Sequence, residues 1–146
     1  MKQIGKNLVL ENGLQKEWII TNGIGGYSSS TILGINTRKY HGLLIAPLTP
    51  PARRHLILSK VDESVQIGER NYIIYGNIGK GYITNGYTYQ TSFEKEYVPI
   101  FTYQVGKITI KKMICLEHGK NTVCILYKIE NKRTSSKVYH NTSLKF

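Results

Sequence analysis

Residues 107–130 read KITIKKMICLEHGKNTVCILYKIE, and this stretch decides the fold. Two runs rich in Ile, Val and Thr flank the polar loop Glu117-His118-Gly119-Lys120-Asn121. β-branched runs on either side of a Gly-bearing loop predict a hairpin. Centring its turn on Gly119-Lys120 sets Cys115 opposite Cys124 and Lys111 opposite Lys128. Side chains alternate along a strand. One face therefore carries Ile110, Ile114, Leu116, Val123, Ile125, Tyr127 and Ile129, and belongs against a core. The other carries Met113, Cys115, Cys124 and Leu126. Lys112 falls on the apolar face. That position calls either for a register-shifting bulge or for a stem that snorkels to an edge.

The same pattern extends outward. Further strands are expected at 7–10, 17–21, 27–33, 41–46, 55–60, 64–67, 72–75, 87–93, 100–105 and 137–144. Asn-Gly turn signals stand at Asn12-Gly13, Asn22-Gly23 and Asn85-Gly86, where glycine supplies positive φ. No stretch keeps a helical apolar rhythm for three turns, and no internal repeat is evident. Short strands at this spacing predict an all-β fold, a sandwich or barrel. Pro47, Pro50 and Pro51 predict a loop joining two sheets, and the four glycines of 76–86 a second long loop.

Composition narrows the function classes. The chain has 146 residues, 40% hydrophobic and 20% charged, which is globular composition in the range of one domain, 1–146. The opening MKQIGKNLVLENG has no apolar signal core, and the longest apolar run, LLIAPL, is too short to span a bilayer. A cytoplasmic location without membrane contact follows as the expectation. Two cysteines fit a reducing compartment. Cys115 and Cys124 are either reduced thiols or a cross-strand disulfide. The net charge of +11 would fit a nucleic-acid binder, yet no basic run exceeds two residues. RNP1, zinc-knuckle and KH patterns are absent, so the charge reads as a surface property and nucleic acid as an unlikely partner. The 11 Tyr against 3 Phe and 1 Trp fit strands and binding surfaces alike.

Few residues offer chemistry. The run Asn22-Gly23-Ile24-Gly25-Gly26-Tyr27 lacks both the Gly-Lys-Ser/Thr of a phosphate loop and the third glycine of G-x-G-x-x-G. It reads as a tight turn built on Asn22, Gly23, Gly25 and Gly26. His41, His55, His118 and His140 have no metal-ligand spacing, so neither metal nor cofactor is expected. Ser28, Ser29 and Ser30 lie in no nucleophile elbow. Glu94 and Glu96 would sit about 7 Å apart on one strand face, a charged face more readily than a catalytic pair. Asp62 and Glu63 would point to opposite faces. The segment 37–42, TRKYHG, is the richest: if extended, Arg38 and Tyr40 share a face and His41 takes the other. Arginine forks match carboxylates, and tyrosine rings can stack on sugars, so a structural brace and a ligand contact both fit.

The stretch 17–51, EWIITNGIGGYSSSTILGINTRKYHGLLIAPLTPP, resembles the N-terminal domain of the bacterial and archaeal type of glycogen debranching enzyme. The matching motifs are Glu17-Trp18, then Thr21 to Tyr27, then Asn36 to Leu44 with Gly42 among them. Weaker likeness runs on through Lys60-Val61-Asp62-Glu63 and the turn Glu117 to Thr122. The resemblance implies an antiparallel, supersandwich-like β-sandwich followed by a helical toroid that carries the α-1,6-glucosidase carboxylates. The chain would then be a non-catalytic domain, without the helical part and incomplete at its own C-terminus. No catalytic residue carries over. Tyr27, Arg38, Tyr40 and His41 become candidates for packing on the helical catalytic domain or bordering a glycogen or maltooligosaccharide cleft. Exposed edges of a shortened sandwich would invite homo-oligomers. A stand-alone carbohydrate-binding module is the competing expectation.

Overall fold

A computed structural model describes residues 10–131 and the backbone of 144–145. In chain order it shows α1 (Leu10–Gln15), β1 (Glu17–Thr21), β2 (Tyr27–Thr31), β3 (Gly42–Thr49), β4 (Ala52–Leu58), β5 (Asp62–Ile67) and β6 (Arg70–Ile73). Two-residue strands β7 (Ile78–Gly79) and β8 (Tyr82–Ile83) and a 3-10 turn (Asn85–Tyr89) come next. Then follow β9 (Gln90–Lys95), β10 (Pro99–Val105), β11 (Ile108–Leu116), β12 (Val123–Asn131) and β13 (Leu144–Lys145). β1-β2-β3-β4 form one sheet in that order, and β12-β11-β10-β9 form the second. β13-β5-β6 and β7-β8 add smaller sheets, and every pairing is antiparallel.

The two four-stranded sheets make an all-β sandwich. Trp18 of β1 and Leu43 of β3 belong to one buried cluster with Phe93, Phe101, Ile110 and Ile114 of the facing sheet. Phe101 takes Trp18 edge-on at 6.1 Å and Phe93 at 5.0 Å between ring centroids, the geometry that aromatic quadrupoles favour. The Trp18 indole donates to the Thr31 carbonyl at 3.0 Å, so its one polar group is satisfied in the core. β10 alternates buried and half-buried residues along its whole length, which fixes its register by burial.

The β11–β12 hairpin forms in the expected register, with Cys115 opposite Cys124 and Lys111 opposite Lys128. Both thiols are free. Lys112 corrects the expectation made for it. No bulge interrupts β11, and the side chain does not reach an edge; it is buried and ion-paired inside.

Other expectations also change. Leu10 opens a short helix rather than closing a strand, and residues 7–9 of that expected strand lie outside the described residues. Of the expected strand 137–144 only Leu144 is described, in β13. The proline stretch joins two strands of one sheet, not two sheets: Thr49 pairs with Ala52, and Pro50-Pro51 is the turn between them. Pro47 lies within β3. Its carbonyl accepts from Asn121 Nδ2 at 3.2 Å. A strand residue's N–H and C=O point the same way, so the missing N–H faces that loop and costs the β3–β4 ladder nothing. Residues 85–89 turn as 3-10 and delay the strand expected at 87–93 until Gln90. Among the described residues no helix is long and apolar enough to cross a membrane.

Candidate functional site

Trp18 points into the core, so its neighbours Glu17 and Ile19 lie on the outer face of the β1–β4 sheet. There Glu17 gathers two residues of the loop that leads into β3. Arg38 ion-pairs with Glu17 through Nε, and His41 Nε2 lies 3.5 Å from the same carboxylate oxygen. The loop is not extended: the His41 N–H donates to the Arg38 carbonyl at 3.1 Å. That turn brings Arg38 and His41 to the same partner, where an extended strand would have separated them. The Thr37 N–H donates to His41 Nδ1 at 3.1 Å, so a neutral ring carries its proton on Nε2, toward Glu17.

The charges follow from these contacts. The hydrogen bond from Arg38 holds the Glu17 carboxyl below its ordinary range. Burial holds the His41 imidazole below its ordinary value and outweighs the pull of Glu17 in the other direction. Both groups are braced, Arg38 by charge and His41 by packing.

The tyrosines are placed differently. Tyr27 donates from its hydroxyl to the Tyr40 carbonyl at 3.4 Å, which ties β2 to the loop. Tyr40 itself is 58% exposed. The Arg54 guanidinium lies 6.0 Å from the Tyr27 ring centroid, and Lys39 Nζ 5.5 Å from that of Tyr40. Gly42 keeps the loop close to the sheet, since a Cβ there would run into Leu56 and Ile45.

A second knot lies at one end of the sandwich. Asn22 is fully buried. Its Oδ1 accepts from the Ile24 and Gly26 N–H groups at 3.2 and 2.8 Å. Its Nδ2 donates to the Lys120 carbonyl at 2.9 Å and to Asn121 Oδ1 at 3.0 Å. Gly23 and Gly25 have φ of +83° and +96°, which closes the turn. A Cβ on Gly23 would come within 2.5 Å of the His118 ring. The Gly119 N–H donates to the Asn22 carbonyl at 2.7 Å, so the 22–26 turn and the β11–β12 loop lock together across the two sheets.

A third cluster is internal. Glu63 on β5 ion-pairs with Lys112 on β11 and accepts from the Tyr127 hydroxyl on β12 at 2.6 Å. Burial, together with the Glu63 charge, pushes the Tyr127 and Tyr103 phenols far above their ordinary range. A cavity of about 20 Å³ lies beside the pair, bordered by Ser30, Asn36 and Ser59. That is room for one water.

The candidate residues Tyr27, Arg38, Tyr40 and His41 thus come together at one face, Arg38 and His41 through Glu17 and Tyr40 through the Tyr27 hydroxyl. The family profile described as "Glycogen debranching enzyme N terminal" matches residues 16–142. The chain belongs to that family. No curated protein and no solved structure matches it.

The glycogen debranching enzyme N-terminal match takes in the outer tyrosine face, the Asn22 knot and the Glu63 cluster together. Sequence reading missed two of the organising residues. Glu17 stood in the family motif, but nothing local tied it to residues 38 and 41. Asp62 and Glu63 do point to opposite faces, Asp62 out to Lys60 at 2.5 Å and Glu63 inward, but the sequence names no partner for Glu63, which is Lys112. The signal that could have found Glu63 was Lys112, a charge on an apolar face that needs a buried partner. Glu94 lies in β9, but the strand ends at Lys95 and Glu96 falls beyond it, so the two do not share a strand face. Among the described residues no group of three His, Cys, Asp or Glu could hold a metal, and His140 lies outside them.

Proposed function

We propose that this domain borders an α-glucan site of an α-1,6-glucosidase in glycogen breakdown and does not carry the reaction itself. Family membership supports the glycogen setting. The observation that carries the sugar contact is Tyr40, more than half exposed on a loop that Tyr27, Arg38, His41 and Glu17 all hold in place. An exposed ring on a braced loop is a preorganised stacking surface for the apolar face of a glucose unit. Tyr27 is half-buried beneath the loop and widens that surface.

Hydrolysis of an α-1,6 branch needs one carboxylic acid to protonate the leaving oxygen and a second carboxylate to activate water. The buried carboxylate here, Glu63, is committed to Lys112 and Tyr127. Glu17 is committed to Arg38. Neither of these two is free to serve as that acid or base, and on this reading both belong to a helical partner domain. This domain's residues orient the glucan and exclude water at its margin. A cytoplasmic location goes with that role.

Titration calorimetry of the whole chain with maltoheptaose tests the reading. Tyr40→Ala should weaken binding about tenfold, the loss of roughly 1.4 kcal/mol of ring contact. Absence of binding by a folded sample would remove the glucan surface. Turnover of an α-1,6-branched substrate by the purified chain would remove the non-catalytic assignment.

A further inference from the structure

The outer tyrosine face is more cationic than a neutral sugar needs. Lys39 and Arg54 each lie over one of its two rings. Among the described residues neither has a carboxylate partner, and the same is true of Arg53 beside them. The nearby acid, Glu17, is already taken by Arg38. Arg54 is also fixed: its Nε donates to the Gly25 carbonyl at 2.7 Å while the guanidinium covers Tyr27. That leaves its two terminal nitrogens as oriented donors with little rotamer freedom left to lose. Arg53 has φ of +53°, a left-handed conformation that a non-glycine residue rarely adopts, and it stands next to this fixed arginine.

From this arrangement we propose that the tyrosine face takes an anionic α-glucan, one carrying phosphate monoesters, in preference to neutral glucan. This rests on the glucan reading above and specifies the ligand class of the same surface. The ring faces left open supply the sugar contact, and Lys39 and Arg54, each over the other side of one ring, supply charge-assisted hydrogen bonds to the phosphate oxygens. The chain's net charge of +11 draws such a ligand from a distance, an attraction that salt screens. A single-stranded nucleic acid would also offer rings and phosphates, but the unpartnered cations sit at two tyrosines on one loop-capped sheet face. Each of the two cations is placed at one ring, which fits a few sugar units with a phosphate, and nucleic acid is therefore kept as an outcome of the test.

The test compares a maltodextrin bearing glucose 6-phosphate units with a neutral maltodextrin of the same length, titrated into the full chain at low and high salt. The phosphorylated dextrin should bind about tenfold tighter at low salt, and the gap should close at high salt. Lys39→Gln with Arg54→Gln should remove most of the gap between the two dextrins, and Lys39→Gln alone should remove part of it without touching the Arg54–Gly25 bond. Equal affinities for the two dextrins in the unaltered chain would overturn the anionic preference and leave the glucan reading standing. Binding of neither dextrin by a folded sample would overturn both. Inorganic phosphate or single-stranded nucleic acid competing as strongly as the phosphorylated dextrin would overturn the assignment to glucan.

Discussion

His41 carries more of the outer face than its single contact with Glu17 implies. Its ring is buried and takes the Thr37 N–H, so the loop closes around the neutral form. Because burial lowers its affinity for a proton, the unfolded chain binds that proton more readily, near the ordinary value of 6.5. Stability from this residue is therefore full above that pH and is lost as pH falls through it. Glu17 acts in the same direction lower down, since its carboxyl is held below 4.5 by Arg38. Thermal melting followed against pH should show loss of stability in two steps, and His41→Gln should flatten chiefly the upper one, since Arg38 is the main partner of Glu17. Asn22 sets a second residue-scale expectation. Removing its four hydrogen bonds with Asn22→Ala should cost about 2–3 kcal/mol, read as a lowered midpoint in urea. The Asn-Gly turn was legible because its chemistry is local. The union of Glu17 with residues 38 and 41 was not, because the carboxylate comes from another strand.

At the scale of elements, β5, β11 and β12 meet at Glu63, Lys112 and Tyr127. The β11–β12 register was readable from alternation alone. Lys112 was visible as an exception, but its partner lies far away in sequence and only the packing of β5 on the sandwich brings it near. Lys112→Met should destabilise the fold by about 3–5 kcal/mol, because Glu63 is then buried without its counter-charge. The double change Lys112→Met with Glu63→Leu should recover most of that loss. Tyr127→Phe should cost about 1–2 kcal/mol through one lost charge-assisted bond. Denaturant midpoints of the three variants separate these effects, and a double variant no better than the single one would remove the ion pair as the cause. The prolines show a different limit. Proline chemistry excluded an ordinary central strand, yet β3 accommodates Pro47 where its absent N–H faces a loop.

For the whole molecule, an all-β sandwich or barrel was legible from strand spacing, and the sandwich and the family from the motifs of residues 17–51; the division into two four-stranded sheets came only with the structure. Function was less legible, because the candidate surface depends on which residues the fold leaves exposed. Tyr103 and Tyr127 serve the interior, while Tyr40 faces out. Among the described residues β12 is an outer strand of its sheet and exposes Leu126. Such an edge predicts reversible self-association, which light scattering over a concentration series would show as a rising mean mass. The most direct measurement of the central claim is an NMR titration of the full chain with maltoheptaose. The account predicts shifts confined to Tyr27, Tyr40 and the backbone of residues 38–42, with the buried Tyr103 and the half-buried, Glu63-bonded Tyr127 unmoved. Shifts centred elsewhere, or none at saturating sugar, would contradict it.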